Sequence, residues 1–140
     1  TGHPTEDAVV CSALMSRLFK KVENYTDELE LNEEYMIEDA DILIIAYGSV
    51  SLGAKEAINR LRKEGIKAGM FSPKTIWPSP EKRLNKLVNR FEKVLVAELN
   101  MGQYTQEIQR VSGRKDFDTL LKANGRPLSP LEIIEKVKGM

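Results

Sequence analysis

Ile42-Leu43-Ile44-Ile45-Ala46-Tyr47 is an unbroken apolar run, partly β-branched, with no charge to interrupt it. A run of that kind marks a strand buried on both faces, as strands of a parallel sheet are. It stops at Gly48-Ser49. Val50, Ala54, Ala57, Ile58 and Leu61 then follow at helical spacing as far as Gly65, a residue suited to the left-handed position after a helix. The alternation repeats downstream. Ile66–Phe71 reads as the next strand, and Ser79-Pro80 as N-cap and first residue of a helix carried by Leu84, Leu87, Val88 and Phe91. Lys93–Glu98 is a third buried strand, and residues 103–112 form a helix through Tyr104, Ile108 and Val111 that Gly113 ends. Phe117–Leu121 gives a last strand. Ser129-Pro130-Leu131-Glu132 is a capping box that opens a closing helix with Ile133, Ile134 and Val137. Strands of about six residues alternating with helices of about ten to fifteen mean βαβ units, so the fold class is α/β, with a mainly parallel sheet covered on both faces.

Upstream of this rhythm the pattern changes. Thr5 reads as an N-cap followed by Glu6 and Asp7, and Val10, Leu14, Leu18 and Val22 recur every fourth residue with Met15 and Phe19 beside them. This predicts an amphipathic helix over residues 6–23, with Lys20 and Lys21 at its C-terminal end. Residues 23–41 hold nine acids and no Lys or Arg, and the alternation Glu28-Leu29-Glu30-Leu31 allows a short, half-exposed strand. Residues 55–93 lean the other way, with eleven Lys or Arg against four acids. That asymmetry has two readings: solvated helix faces with a polar connector, or complementary patches used in docking to other subunits.

At 140 residues the chain fits one domain. Lys+Arg and Asp+Glu balance at 21 each, which removes any global electrostatic case for a nucleic-acid partner. No apolar run reaches the roughly 18 residues of a membrane helix, and the N-terminus is not a signal peptide. A single cysteine, Cys11, rules out an internal disulfide framework and a cysteine-rich zinc or iron–sulfur site built from this chain alone, and fits a reducing cytoplasm. The chain opens on Thr1 rather than Met, as a piece of a longer protein or a processed one would.

In an open α/β sheet, ligands sit beyond the carboxyl ends of the strands. Three such ends carry polar residues here: Gly48-Ser49, Phe71-Ser72-Pro73 and Asn100-Met101-Gly102-Gln103. The turn Gly48-Ser49-Val50-Ser51-Leu52-Gly53 could cradle an anion on its backbone N–H groups. It lacks the Gly-Lys-Ser/Thr of a P-loop, since Gly53 is followed by Ala54-Lys55, and it has Val50 where a dinucleotide fingerprint needs its second glycine. A tight strand-to-helix turn is the reading these residues favour. Asn100 and Gln103 could grip a ligand or a partner's backbone, or Asn100 could simply cap the next helix. His3 has no second histidine to complete a metal set and is expected in a flexible tail. Cys11 falls on the helix's apolar stripe and reads as a buried, inert thiol, and Trp77 as core or interface packing. No G-x-S-x-G elbow and no aspartyl phosphoacceptor at a strand's carboxyl end is present, so no self-sufficient active site is legible.

Taken in order, Gly2-His3-Pro4 with an acid-rich helix start, Ala40-Asp41 before the strand that ends in Gly48-Ser49, Gly65-Ile66-Lys67-Ala68-Gly69, Trp77-Pro78-Ser79-Pro80, Glu98-Leu99-Asn100-Met101-Gly102-Gln103 and Gly125-Arg126-Pro127-Leu128-Ser129-Pro130 resemble the C-terminal part of the alpha subunit of 2-oxoacid:ferredoxin oxidoreductases, the 2-oxoglutarate type in particular. The resemblance covers nearly the whole chain. It implies an N-terminal amphipathic helix over 1–25 and a transketolase C-terminal-like domain over 26–140: a three-layer α/β/α unit whose five-stranded sheet has an antiparallel first strand, expected at Glu28–Leu31. It implies that the complete enzyme uses thiamine diphosphate, Mg2+, CoA and an iron–sulfur cluster, while this segment binds no cofactor or metal and contributes no catalytic residue. No Gly-Asp-Gly diphosphate–metal motif occurs in the chain, in keeping with that division. The implied partners are the remaining alpha-subunit domain, the beta subunit and, through the complex, ferredoxin, in the cytoplasm. The turn Asn100, Met101, Gly102, Gln103 and the segment Trp77, Pro78 are expected to face the neighbouring domain or subunit. The competing function is a free-standing phosphate- or nucleotide-binding module built on Gly48, Ser49 and Gly53.

Overall fold

The computed structural model describes residues 4–140. His3, expected in a flexible tail, lies outside the described residues. The sheet has five strands: β1 (Asn32–Tyr35), β2 (Ile42–Ala46), β3 (Ala68–Pro73), β4 (Lys93–Glu98) and β5 (Asp118–Leu121). They are ordered β1-β3-β2-β4-β5. β2 pairs in parallel with both β3 and β4, β4 with β5, and β1 alone runs antiparallel, with Asn32 opposite Pro73 and Tyr35 opposite Met70. Every residue of β2 is buried, as its unbroken apolar run requires.

Four helices cover the sheet, two on each face. α3 (Val50–Lys63) and α6 (Pro130–Lys138) press Ala54, Ala57, Ile58, Leu61 and Ile133 onto Ile42, Ile44, Met70 and Leu95. On the other face α4 (Glu81–Arg90) and α5 (Gln103–Ser112) press Leu84, Leu87, Val88 and Ile108 onto Leu43, Ile45, Phe71 and Val96. Adjacent residues of β2 thus feed opposite cores, and the three-layer α/β/α architecture is the one expected. α6 carries the full capping box, with Glu132 N donating to Ser129 Oγ and Ser129 N to Glu132 Oε2 at 2.9 Å.

The differences are local. α1 spans Ala8–Glu23 and is capped by Asp7, whose Oδ1 accepts from Val9 N and Val10 N at 2.9 and 3.0 Å; Thr5 instead takes the Asp7 N–H. Asp7 is the residue whose carboxylate reaches the first free N–H groups. The predicted strand Glu28–Leu31 is not one. Residues Thr26–Leu29 form a short helix, α2, because the hydroxyl and backbone of Thr26 continue the turn that ends α1. The antiparallel strand comes four residues later, where its side chains find partners. Glu33 Oε2 meets Lys74 Nζ at 2.8 Å and Glu33 also pairs with Lys55; Glu34 binds Arg83. Asp39 takes the guanidinium of Arg62 at 2.8 Å, and Arg90 donates to the Glu38 carbonyl. The acidic segment is therefore neither a solvated connector nor a free patch: much of it folds onto the basic half of the same chain.

Gly69 shows how tightly that segment crosses the sheet. A Cβ there would stand 2.5 Å from the Met36 carbonyl oxygen and 2.8 Å from Ile37 Cα, so only glycine lets the Met36–Ala40 loop pass over β3. Ser79 is not a helix cap. Pro80 occupies the N-cap position of α4, and the Ser79 hydroxyl is turned inward to Tyr104.

Candidate functional site

From β2 the chain crosses to β3 on one side, and β4 lies on the other, so the strand order reverses between β2 and β4. The crevice at the carboxyl ends of those two strands is where a doubly wound sheet admits a ligand. Tyr47 and Gly48 leave β2 there; Glu98, Leu99 and Asn100 leave β4.

Glu98 dominates this crevice. It is the last residue of β4 and its side chain is fully buried. Its carboxylate accepts from Thr105 N at 2.9 Å, from Thr105 Oγ1, from Tyr104 N at 3.1 Å and from Tyr47 Oη at 2.9 Å. Two of those donors are free N–H groups in the first turn of α5, which has no side-chain cap from its own N-cap residue, Gly102. Glu98 therefore caps α5 from the adjoining strand and puts a negative charge where the helix dipole favours one. Burial pulls its carboxyl upward, but the hydrogen bonds from Thr105 and Tyr47, with the Asn100 amide beside them, prevail and hold it below the usual carboxylate range.

The neighbours complete a closed network. Asn100 Nδ2 donates to Tyr47 Oη at 2.7 Å, and Asn100 Oδ1 accepts from Gly102 N at 2.8 Å and Gln103 N at 3.1 Å. Gln103 Oε1 takes the Met101 N–H at 3.0 Å. Gly102 adopts φ 96°, a left-handed conformation that turns the chain into α5. Tyr47 and Tyr104 meet edge to face with centroids 5.3 Å apart, and Tyr104 Oη lies 3.1 Å from Ser79 Oγ. Burial, with Glu98 beside it, pushes the Tyr47 phenol up to about 12; burial does the same for Tyr104, also to about 12.

This geometry decides the open readings. Asn100 Oδ1 takes the N–H groups that open α5, so its capping role is realised, and Gln103 Oε1 is spent on the turn itself. What the turn presents outward is Met101, 75% exposed, above a cleft shared with Lys122, Gly125, Arg126 and Pro127. Trp77 is not core: it is 68% exposed, at a cis peptide bond to Pro78, beside a groove formed with Phe19 and Val22 of α1. Gly48, Ser49 and Gly53 do not form one cradle. Gly53 lies inside α3, where an added Cβ would be 3.2 Å from the Leu128 carbonyl, and Ser51 Oγ donates to the Gly48 carbonyl at 2.7 Å. Ser72, at the third strand end, is buried with its hydroxyl unpartnered among the described residues. Cys11 is half-buried rather than sealed, its thiol 3.5 Å from the Thr5 carbonyl.

The residues do not suit thiamine diphosphate, its metal or an iron–sulfur cluster. The α5 N-terminus, the natural seat for a diphosphate, is filled by the Glu98 carboxylate, and among the described residues no three His, Cys, Asp or Glu side chains are grouped to hold a metal. No described helix is long and apolar enough to cross a membrane. Glu98 heads a motif quoted from the sequence, but no role is assigned to it there. Its signal was a carboxylate closing the apolar run Val94–Ala97, where only a satisfied charge belongs.

The family described as pyruvate:ferredoxin oxidoreductase core domain II matches residues 40–133. The 2-oxoglutarate synthase subunit KorA of Methanothermobacter marburgensis is 37% identical over 91% of the chain, which covers 34% of that subunit. The alpha subunit of 2-oxoacid:ferredoxin oxidoreductase 1 of Aeropyrum pernix is 32% identical over 97% of the chain and 22% of that subunit. Among solved structures, the 2-oxoglutarate:ferredoxin oxidoreductase of Magnetococcus marinus, determined with 2-oxoglutarate, coenzyme A and succinyl-CoA bound, superposes with a TM-score of 0.82 at 27% identity, over 99% of this chain and 24% of that one. The chain thus spans about a third of the length of the KorA relative and about a quarter or less of the other two.

Proposed function

The chain belongs to the pyruvate:ferredoxin oxidoreductase core domain II family, and we propose that it serves as the structural, assembly-forming domain of the alpha subunit of a 2-oxoacid:ferredoxin oxidoreductase. The complete enzyme would decarboxylate a 2-oxoacid oxidatively on thiamine diphosphate, join the acyl group to CoA, and pass the two electrons released through iron–sulfur chemistry to ferredoxin. The 2-oxoacid is 2-oxoglutarate on this reading, in line with the named substrates of the KorA and Magnetococcus relatives. Thiamine diphosphate, Mg2+ and the cluster belong to the other parts of the complex, and the setting is the cytoplasm.

One observation carries the assignment of an architectural role. The crevice where this fold would hold a ligand is closed by the chain's own carboxylate, with the donors around it — Thr105, Tyr104 and Tyr47 — already committed. Met101 and Trp77 are the large apolar side chains left outward beside it. A rigid turn that displays an apolar tip suits a fixed contact with a neighbouring domain better than turnover. The free-standing phosphate- or nucleotide-binding module is not favoured, because Gly53 packs against the 128–130 segment instead of opening a cradle.

The test is a tagged pull-down from the source organism's extract, read by mass spectrometry and by 2-oxoacid-dependent viologen reduction. Recovery of a beta subunit together with activity is expected. Recovery of neither, from an extract in which that activity is present, overturns the proposal.

A further inference from the structure

α1 is sixteen residues long and none of them is buried. Helices of that length are marginal in water without tertiary packing, and their stability in proteins comes from an apolar face laid on a partner. The apolar face is present: Val10, Leu14 and Leu18 stand in one row with Met15 and Phe19 beside it, and each is between 42% and 54% exposed. At its C-terminal end the face runs on into exposed Trp77, across the groove that Phe19 and Val22 share with Trp77 and Pro78. Five half-exposed large apolar side chains along one helix face, with exposed Trp77 across a groove of mixed lining, mark a contact surface.

Charge narrows the partner. Arg17 and Lys21, seven residues on from Val10 and Leu14, flank that row, and Lys20 lies behind it; among the described residues none of the three pairs with an acid, although eleven salt bridges form elsewhere. The cover must offer an apolar trough with an acidic rim. Length narrows it further. The Magnetococcus relative superposes on 99% of the chain, α1 included, and is about four times as long. A helix that touches so little of its own domain, yet takes a matching place in a longer chain, is held there by the remainder of that chain.

We infer that the α1–Trp77 strip is the surface by which this domain docks onto the rest of the oxidoreductase subunit, with an acidic-rimmed apolar trough on that remainder as the occupant. The inference rests on the proposed function and specifies which face does the docking. The Asn100–Gln103 turn is a second, smaller contact at most, since its amides are engaged internally.

Cys11, the only cysteine, lies on α1 and is half-exposed, so it reports coverage directly. The experiment compares the rate of N-ethylmaleimide labelling of Cys11 in the isolated chain with that in the assembled oxidoreductase purified from the source organism, each followed by mass spectrometry. At least tenfold slower labelling in the assembly is expected. In parallel, a tagged Leu14→Glu/Leu18→Glu variant, with circular dichroism showing an intact α/β domain, should fail to recover the oxidoreductase polypeptides that the unaltered chain recovers. If the chain's peptides are in the purified enzyme and Cys11 labels at the isolated rate, the docking inference falls while the functional reading stands. If the chain's peptides are missing from active enzyme, the functional reading falls and takes the inference with it. If the isolated chain is a dimer that protects Cys11, and the double variant is a monomer, the strip pairs with a second copy and the inference is overturned.

Discussion

Replacing Glu98 by Gln removes one charge from the crevice and almost no volume. In the native arrangement one carboxylate oxygen takes both Thr105 donors and the other takes Tyr104 N and Tyr47 Oη. Glutamine keeps an oxygen for the Thr105 pair but aims an NH2 at the other two. Tyr47 can rotate its hydroxyl and accept; the Tyr104 N–H cannot. One buried donor is thus stranded and the surviving bonds lose their charged acceptor. Hydrogen bonds to charged groups contribute about 1.5–3 kcal/mol, and a stranded buried donor costs about 1–3. An expected loss of about 2–3 kcal/mol follows, or a fall of roughly 5–10 °C in Tm for a chain of this size. Glu98→Leu, which strands every donor, should cost about 3–5 kcal/mol. Urea titration followed by far-UV circular dichroism measures both. The pH dependence gives a separate handle. The folded-state pKa of Glu98 lies below its unfolded value, so the folded state binds fewer protons; the contribution is complete above the ordinary carboxylate range and is lost as the pH falls through the lowered value. The stability gap between wild type and Glu98→Gln should accordingly narrow on acidification. A gap under about 0.5 kcal/mol at neutral pH, or one that stays constant into acid, would refute the reasoning.

Three further outcomes are expected. Gly69→Ala forces a Cβ into the Met36 carbonyl and should destabilise by more than about 3 kcal/mol, whereas Gly53→Ala, 3.2 Å from the Leu128 carbonyl, should cost under about 2; paired urea titrations compare them. Arg114 ties the carbonyls of Val88, Phe91 and Glu92 to Asp116, a fan that a lysine ammonium cannot reproduce, so Arg114→Lys should lower stability by about 1–3 kcal/mol in the same assay. Trp77→Ala should leave the isolated chain's stability within about 0.5 kcal/mol, because the side chain is mostly in water, and yet reduce recovery of the oxidoreductase in the pull-down.

The parallel core was legible because its signals are local. A short, partly β-branched apolar run closed by glycine reads as a doubly covered strand, and a capping box such as Ser129–Glu132 states its own boundary. The places that misled are those where a distant partner decides. Glu28–Leu31 alternates like a strand, but a strand at the sheet edge needs counter-charges, and Lys55, Lys74 and Arg83 stand opposite Glu33 and Glu34. Ser79 looked like a cap until Tyr104, from another helix, claimed its hydroxyl. Cys11 sits on a stripe that reads as core, but no residue of α1 is buried and the thiol is only half-covered, because the periodicity of one helix does not say what lies against it. In the candidate site, Asn100 was visible as a turn residue, but Glu98 is intelligible only once β2, β4 and α5 converge on it.

The position of β1 in the sheet bears on the order of events as the chain is made. β1 precedes β2 in the chain but pairs only with β3, whose first residue comes 33 positions after the last of β1, as Tyr35 and Ala68 mark. During synthesis it emerges with nothing to pair against. For that interval an apolar edge strand would be a ready template for aggregation. The run of acids through residues 23–41 instead keeps the waiting segment hydrated and self-repelling. Its counter-ions then arrive in sequence: Lys55 with α3, Lys74 just past β3, and Arg83 with α4. The charge imbalance along the chain thus acts as a timer, holding the first strand in solution until the edge that receives it exists.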